Sequence, residues 1–133
     1  MPMNDKEITF AQVVIFGKDP QGYGVGVELC NFDRTPYAIM SLWLPKVEFP
    51  SQRQSLFNTF EEVFKYIPEN HRHVKFRGCI SWFTHRVYEM KRKAGMYADG
   101  RTTSFHYLEH KPGVAFCLAV DATSRKTTII EEL

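Results

Sequence analysis

The chain of 133 residues has no apolar run near the ~18 residues of a membrane span and no Asn-x-Ser/Thr acceptor, and it has only three cysteines. These scarcities exclude a membrane-spanning role and a disulfide-stapled secreted scaffold. The polar stretch Met1 to Lys6 lacks the apolar segment of a secretory signal. Cys30, Cys79 and Cys117 are odd in number, far apart and set among apolar residues. They imply reduced core thiols of an intracellular, cytoplasmic protein. P-loop, nucleophile elbow and deaminase cysteine pair are also missing. Gly22, Gly24 and Gly26 are no dinucleotide fingerprint, because they lie within a strand pattern that no helix follows. No cofactor is implied, and Ser, His and Asp are nowhere grouped by spacing, so a non-enzymatic role is expected.

What is present is charge in one place. Residues 71–101 carry eight basic side chains against Glu89 and Asp99, whereas residues 1–70 are net −3 and residues 102–133 net −1. His71, His73, His85 and His106 lie in or beside the basic stretch and would add charge below about pH 6.5. A basic segment this concentrated is the footprint of an acidic partner, most commonly nucleic acid.

Apolar residues make up 44% of the chain, enough for one globular domain over residues 1–133 with a real core. Ile8 to Phe16 is β-rich, and Asp19-Pro20-Gln21-Gly22 has the chemistry of a type I turn. Tyr23 to Cys30 alternates, with Gly24 and Gly26 leaving one face bare for a backbone or a ligand to approach. Tyr37 to Leu44 completes an antiparallel meander. Ser51 and Gln54 form a capping box before an apolar helix stripe that Pro68 ends. Val74 to Arg77 predicts a short strand, and a helix is favoured from about Ser81, although Ile80 to Phe83 could extend the strand. Thr103 to His110, Val114 to Asp121 and Thr127 to Glu132 read as strands. The order β-β-β-α-β-α-β-β-β predicts an α+β class: a single, mostly antiparallel sheet of five to six strands with two helices on one face.

This order, with Val14-Ile15-Phe16 leading to Gly22-Tyr23-Gly24 and the later Phe105-His106-Tyr107-Leu108-Glu109-His110-Lys111-Pro112-Gly113, resembles a ribonuclease H-like fold over residues 8–113. That family places metal-binding carboxylates in the first strand, the first helix and the end of the fourth strand. Here those regions read Phe16-Gly17-Lys18, Gln54-Ser55-Leu56 and Gly78-Cys79. The resemblance therefore implies a degenerate member that cannot assemble a two-metal site. An OB-like domain, which also runs β-β-β-α-β-β, is the rival architecture.

His106 to His110 matches H-x-x-E-H, the zinc signature of inverted zincins. On a strand its two histidines would stand roughly 13 Å apart, too far to share an ion. They are read as surface histidines on an edge strand. His71-Arg72-His73 has no accompanying cysteine or carboxylate and is read as a solvated loop.

The expected function is non-enzymatic binding of nucleic acid, single-stranded or RNA-containing. Arg72, Lys75, Arg77, Arg86, Lys91, Arg92, Lys93 and Arg101 would contact phosphate, and Trp82, Tyr88 or Tyr97 would stack on bases. The alternative is a small interaction or inhibitor protein of a virus or mobile element, docking its basic face on an acidic protein surface. A free sheet edge would support a homodimer.

Overall fold

A computed structural model describes residues 4–133, so Met1 to Met3 of the polar N-terminal stretch lie outside the described residues. A short 3-10 turn at Asp5–Glu7 leads into β1 (Ile8–Phe16), β2 (Gly22–Asn31) and β3 (Pro36–Pro45). Then follow α1 (Gln52–Phe64), β4 (His73–Gly78), α2 (Trp82–His85), α3 (Val87–Gly95), β5 (Thr102–Tyr107), α4 (Gly113–Arg125) and β6 (Ile129–Glu132). The class is α+β, as expected. The six strands lie in the order β5-β4-β1-β2-β3-β6, an open sheet. β1, β2, β3 and β6 pair antiparallel, while β4 and β5 run parallel to β1. The sheet is therefore mixed, because β4 and β5 are each reached through a helical connection that carries the chain back to the end where it started.

Local chemistry explains most elements. Ser51 Oγ accepts from the Gln54 amide at 3.2 Å and caps α1. α1 buries Leu56, Phe60, Val63 and Phe64 on the side of the sheet formed by Ala11, Val13, Val25, Val27, Leu29, Val74 and Phe76. Phe76 stacks on Phe105 and Phe60 meets both edge to face, with ring centres 5.0–5.7 Å apart, at the spacing aromatic pairs prefer. Phe83, Met90 and Ala94 of α2 and α3 close the same core. The single helix expected from Ser81 is broken at Arg86, whose ψ of 38° interrupts the helical course.

The expectation of a strand at Val114 to Asp121 is overturned. That segment is α4, and it packs on the other face of the sheet, so the helices occupy both faces. Its β-rich letters conceal a stripe of Ala115, Ala119 and Ala122, all fully buried. The stripe lies on the bare face of β2. A Cβ on Gly26 would run into the Ala115 carbonyl, and one on Gly24 into the Ala119 carbonyl. The approaching backbone foreseen for these glycines is that of α4. Cys117 points away from the stripe and is exposed, unlike Cys30, which is buried, so the three cysteines are not all core thiols.

His71 is not in a solvated loop. It is buried at 7% exposure. Its Nδ1 lies 2.7 Å from Thr9 Oγ1, which also meets the Tyr37 hydroxyl at 2.9 Å. Buried polar groups need such partners. Burial pushes the Tyr37 phenol up to about 12, so it stays neutral and can donate in this network.

Candidate nucleic-acid interface

β4 alternates: Val74, Phe76 and Gly78 are buried, while His73, Lys75 and Arg77 point to the opposite face. That face is the one α4 shares, but α4 packs chiefly on β2, β1 and β3. The N-terminal half of β1, with β4 and β5 beyond it, is not covered by α4, although Ile8 and Phe10 are themselves buried there. Register then sets the neighbours. Lys75 stands between Phe10 of β1 and Ser104 of β5, and Arg77 between Gln12 and His106. Adjacent strands are about 4.8 Å apart, so Phe10, Lys75, Arg77 and His106 form one contiguous patch.

Arg34 joins them from the β2–β3 turn. This turn is closed by the Asn31 amide donating to the Thr35 carbonyl at 2.9 Å, and Arg34 adopts the left-handed region at φ 73°. The conformation carries its guanidinium over β1, 4.1 Å from the centre of the Phe10 ring. The Arg77 guanidinium lies 5.6 Å from the same ring, and Phe32 stacks on Phe10 at 6.0 Å. Both guanidinium groups are within cation–π range. Phe10, Arg34, Lys75, Arg77 and His106, with Tyr107 and Leu108, line a hollow of about 290 Å³.

The patch is electrostatically unbalanced. Among the described residues neither Arg34, Lys75 nor Arg77 has a carboxylate within ion-pair distance. Burial, then the Arg34 charge, lowers the pKa of Arg77, which nevertheless stays protonated. Burial first, then Lys75 and Arg77, holds the His106 imidazole below its ordinary value. An anion placed here would relieve that repulsion.

The sequence-predicted residues separate into three groups. Lys75 and Arg77 lie in the open patch. Arg86, Lys91 and Arg92 are exposed around α2 and α3, across the sheet, with Tyr88 beside them at 86% exposure. Lys93 is half-buried there, 5.1 Å from the Phe57 ring centre. Arg72 and Arg101 are engaged within the fold. Arg72 donates to the carbonyls of Glu69 and Asp99. Arg101 donates Nε to the His71 carbonyl at 2.7 Å and its terminal nitrogens to Ala98, Ile67 and Pro68. Trp82 and Tyr97 pack against the main core, and Arg53 lies over Trp82 at 5.8 Å.

Sequence reasoning missed Phe10, Phe32, Arg34 and His106 as one cluster. The signal available was the alternation of cations with Val74 and Phe76. It places Lys75 and Arg77 on the non-core side of β4, next to whatever β1 presents there. Arg34, 41 residues before Lys75 in the chain, gave no local sign.

At the C-terminal ends of β1 and β4 lies a small hollow. Val13, Ile15, Gln52, Cys79 and Lys111 line it, and no carboxylate is among its lining residues. His106 is the last but one residue of β5, on the open face, whereas His110 lies in the loop beyond the strand. Among the described residues no three His, Cys, Asp or Glu side chains converge as metal ligands. No helix of the described residues is long and apolar enough to cross a membrane. Comparison of the chain with models of protein families, with curated proteins and with solved structures finds no match.

Proposed function

We propose that the protein binds nucleic acid, without cleaving it, on the open face of its sheet. The observation that carries this reading is the convergence of Arg34, Lys75, Arg77 and His106 around Phe10 with no ion-pair partner among the described residues. Lys75 and Arg77 are two residues apart on one strand, so their Cα atoms stand about 6.6 Å apart, on the order of the spacing between successive phosphates. Guanidinium groups match phosphate oxygens in pairs, and an aromatic floor tolerates sugars and bases. The basic helix face of Arg86, Lys91 and Arg92 adds a positive field that would raise the rate of encounter.

The chain order of three antiparallel strands, helix, strand, helix resembles that of ribonuclease H-like proteins, and we propose the protein as a non-cleaving member of that fold. A two-metal mechanism is left out of the proposal because the hollow between β1, α1 and β4 offers Gln52, Cys79 and Lys111 where carboxylates would be needed.

A second reading, docking on an acidic protein surface, rests on Tyr88 and Met96. Tyr88, on α3, is 86% exposed, and Met96, which caps its C-terminal end, is 66% exposed, near Lys91 and Arg92. An aromatic residue and a methionine among arginines is an interface composition.

The test is fluorescence anisotropy with labelled single-stranded DNA, single-stranded RNA, duplex DNA and RNA–DNA hybrid at about 50 and 200 mM salt. Salt-sensitive binding is expected. Absence of binding at low salt by folded protein rejects the proposal in favour of the protein-docking reading.

A further inference from the structure

Beside the cationic patch lies a second hollow of similar size and different chemistry. It measures about 290 Å³ and is lined by Ile8 and Phe32 together with Asp5, Lys6, Asn31 and Asp33. The two hollows are neighbours across one aromatic pair. Ile8 and Phe10 are successive residues on the same side of β1, and they cluster with Cys30. Phe32 stacks on Phe10 with an angle of 29° between the rings and remains 44% exposed. On one side of this pair stand four nitrogen-bearing cations or histidines. On the other stands an apolar wall with two carboxylates, the Lys6 ammonium and an amide.

We infer that the second hollow receives an unpaired base, so that the site takes single-stranded nucleic acid in preference to duplex. This rests on the reading of the cationic patch as the phosphate site. The apolar wall and exposed Phe32 ring offer a stacking surface. Asn31 can both donate to and accept from a base edge, while Asp5 and Asp33 accept from exocyclic amines or sugar hydroxyls. The Asp33 carboxyl is held below its usual range, first by the Thr35 side chain and then by the Thr35 amide, so it is an acceptor at neutral pH. Two carboxylates against the single Lys6 ammonium leave this hollow net negative, whereas the other is lined by three cations, which assigns the backbone to the Lys75–Arg77 side and the base to the Ile8–Phe32 side. Neither hollow could take a base still paired within a duplex, because its faces are stacked and its edge is occupied. The two hollows together accommodate about one nucleotide, with neighbours of the strand continuing along β4.

The experiment measures binding of the wild type, Phe32→Ala, Phe32→Leu and the double variant Lys75→Glu/Arg77→Glu. The probes are a labelled single-stranded 12-mer containing 2-aminopurine, a hairpin duplex and a free mononucleotide, with folding of each variant checked by circular dichroism. The single strand is expected to bind roughly tenfold more tightly than the hairpin, with a change in 2-aminopurine fluorescence. Phe32→Ala and Phe32→Leu should both weaken single-strand binding about tenfold and leave the salt slope and hairpin binding unchanged. Equal affinity for strand and hairpin, insensitive to Phe32 but lost in the double variant, would overturn the base hollow and leave the phosphate site standing. A mononucleotide that competes as well as the 12-mer would overturn the polymer as ligand. Failure of every probe to bind would overturn the phosphate site and the base hollow together.

Discussion

The Arg34 guanidinium lies 4.1 Å from the centre of the Phe10 ring, although 24 residues separate them. The left-handed turn at Arg34 is what brings a cation from outside the basic segment onto the open sheet face. Arg34→Ala should therefore reduce the salt slope of nucleic-acid binding by about one, while costing at most ~1 kcal/mol of folding stability. Titrations at several salt concentrations and a urea unfolding curve measure both.

The contact between α4 and β2 predicts opposite outcomes for one chemical change. Gly26→Ala places a methyl group against the Ala115 carbonyl, a backbone atom that cannot rotate away. A loss of about 1–3 kcal/mol or more is expected. Gly95→Ala, at the end of α3, meets nothing within 4 Å and should be neutral or stabilise by about 0.4–1 kcal/mol through the unfolded chain. Chemical denaturation of the two variants side by side tests the packing of α4.

Arg101 is assigned to the fold and not to the ligand. Its guanidinium is the shared donor for carbonyls on either side of the loop before β4 and the loop before β5. Hydrogen bonds from a charged donor contribute about 1.5–3 kcal/mol each, with strong non-additivity. Arg101→Gln should lower the unfolding free energy by a few kcal/mol, and its folded fraction should bind nucleic acid with unchanged affinity and salt slope.

Two histidines give pH dependences of distinct kinds. Burial, then the Arg101 charge, holds His71 below its ordinary pKa in the folded protein. As pH falls through about 6.5 the unfolded chain takes up the proton first, so stability decreases from about pH 7 towards pH 5. His71→Gln should flatten that slope in unfolding curves. His106, lowered by burial, Lys75 and Arg77, gains a proton when a polyanion neutralises those cations. Affinity should rise on acidification through the same range, and His106→Gln should remove the rise.

The legible parts of the sequence were those where local chemistry and burial agree. The β1–β3 meander, the Ser51 cap of α1 and the strand at β4 follow from alternation, turn residues and side-chain capping. α4 was misread because Val114, Phe116 and Val120 favour a strand locally, whereas the deciding feature is the fit of Ala115 and Ala119 to glycines nearly a hundred residues earlier. The same non-local pairing hid the site. The eight cations of the basic segment point to three destinations, and only the register of β4 against β1 and β5 separates Lys75 and Arg77 from Arg101, which braces loops, and from Lys91, which faces solvent across the sheet. His71 reads as a loop residue locally because Thr9, its hydrogen-bond partner, and Tyr37, edge-on to its ring, come from strands much earlier in the chain.

The most direct test compares charge reversal on the two faces. Lys75→Glu/Arg77→Glu alters the open sheet face, and Lys91→Glu/Arg92→Glu alters α3, with the same change in net charge. Anisotropy with a single-stranded oligonucleotide at several salt concentrations should show binding lost in the first pair. In the second pair it should show a modest weakening without loss of saturable binding. The salt slope assigned to direct contacts should fall by about two for the sheet pair. Equal weakening by both pairs, or loss only with the α3 pair, would contradict the assignment of the open sheet face as the nucleic-acid site.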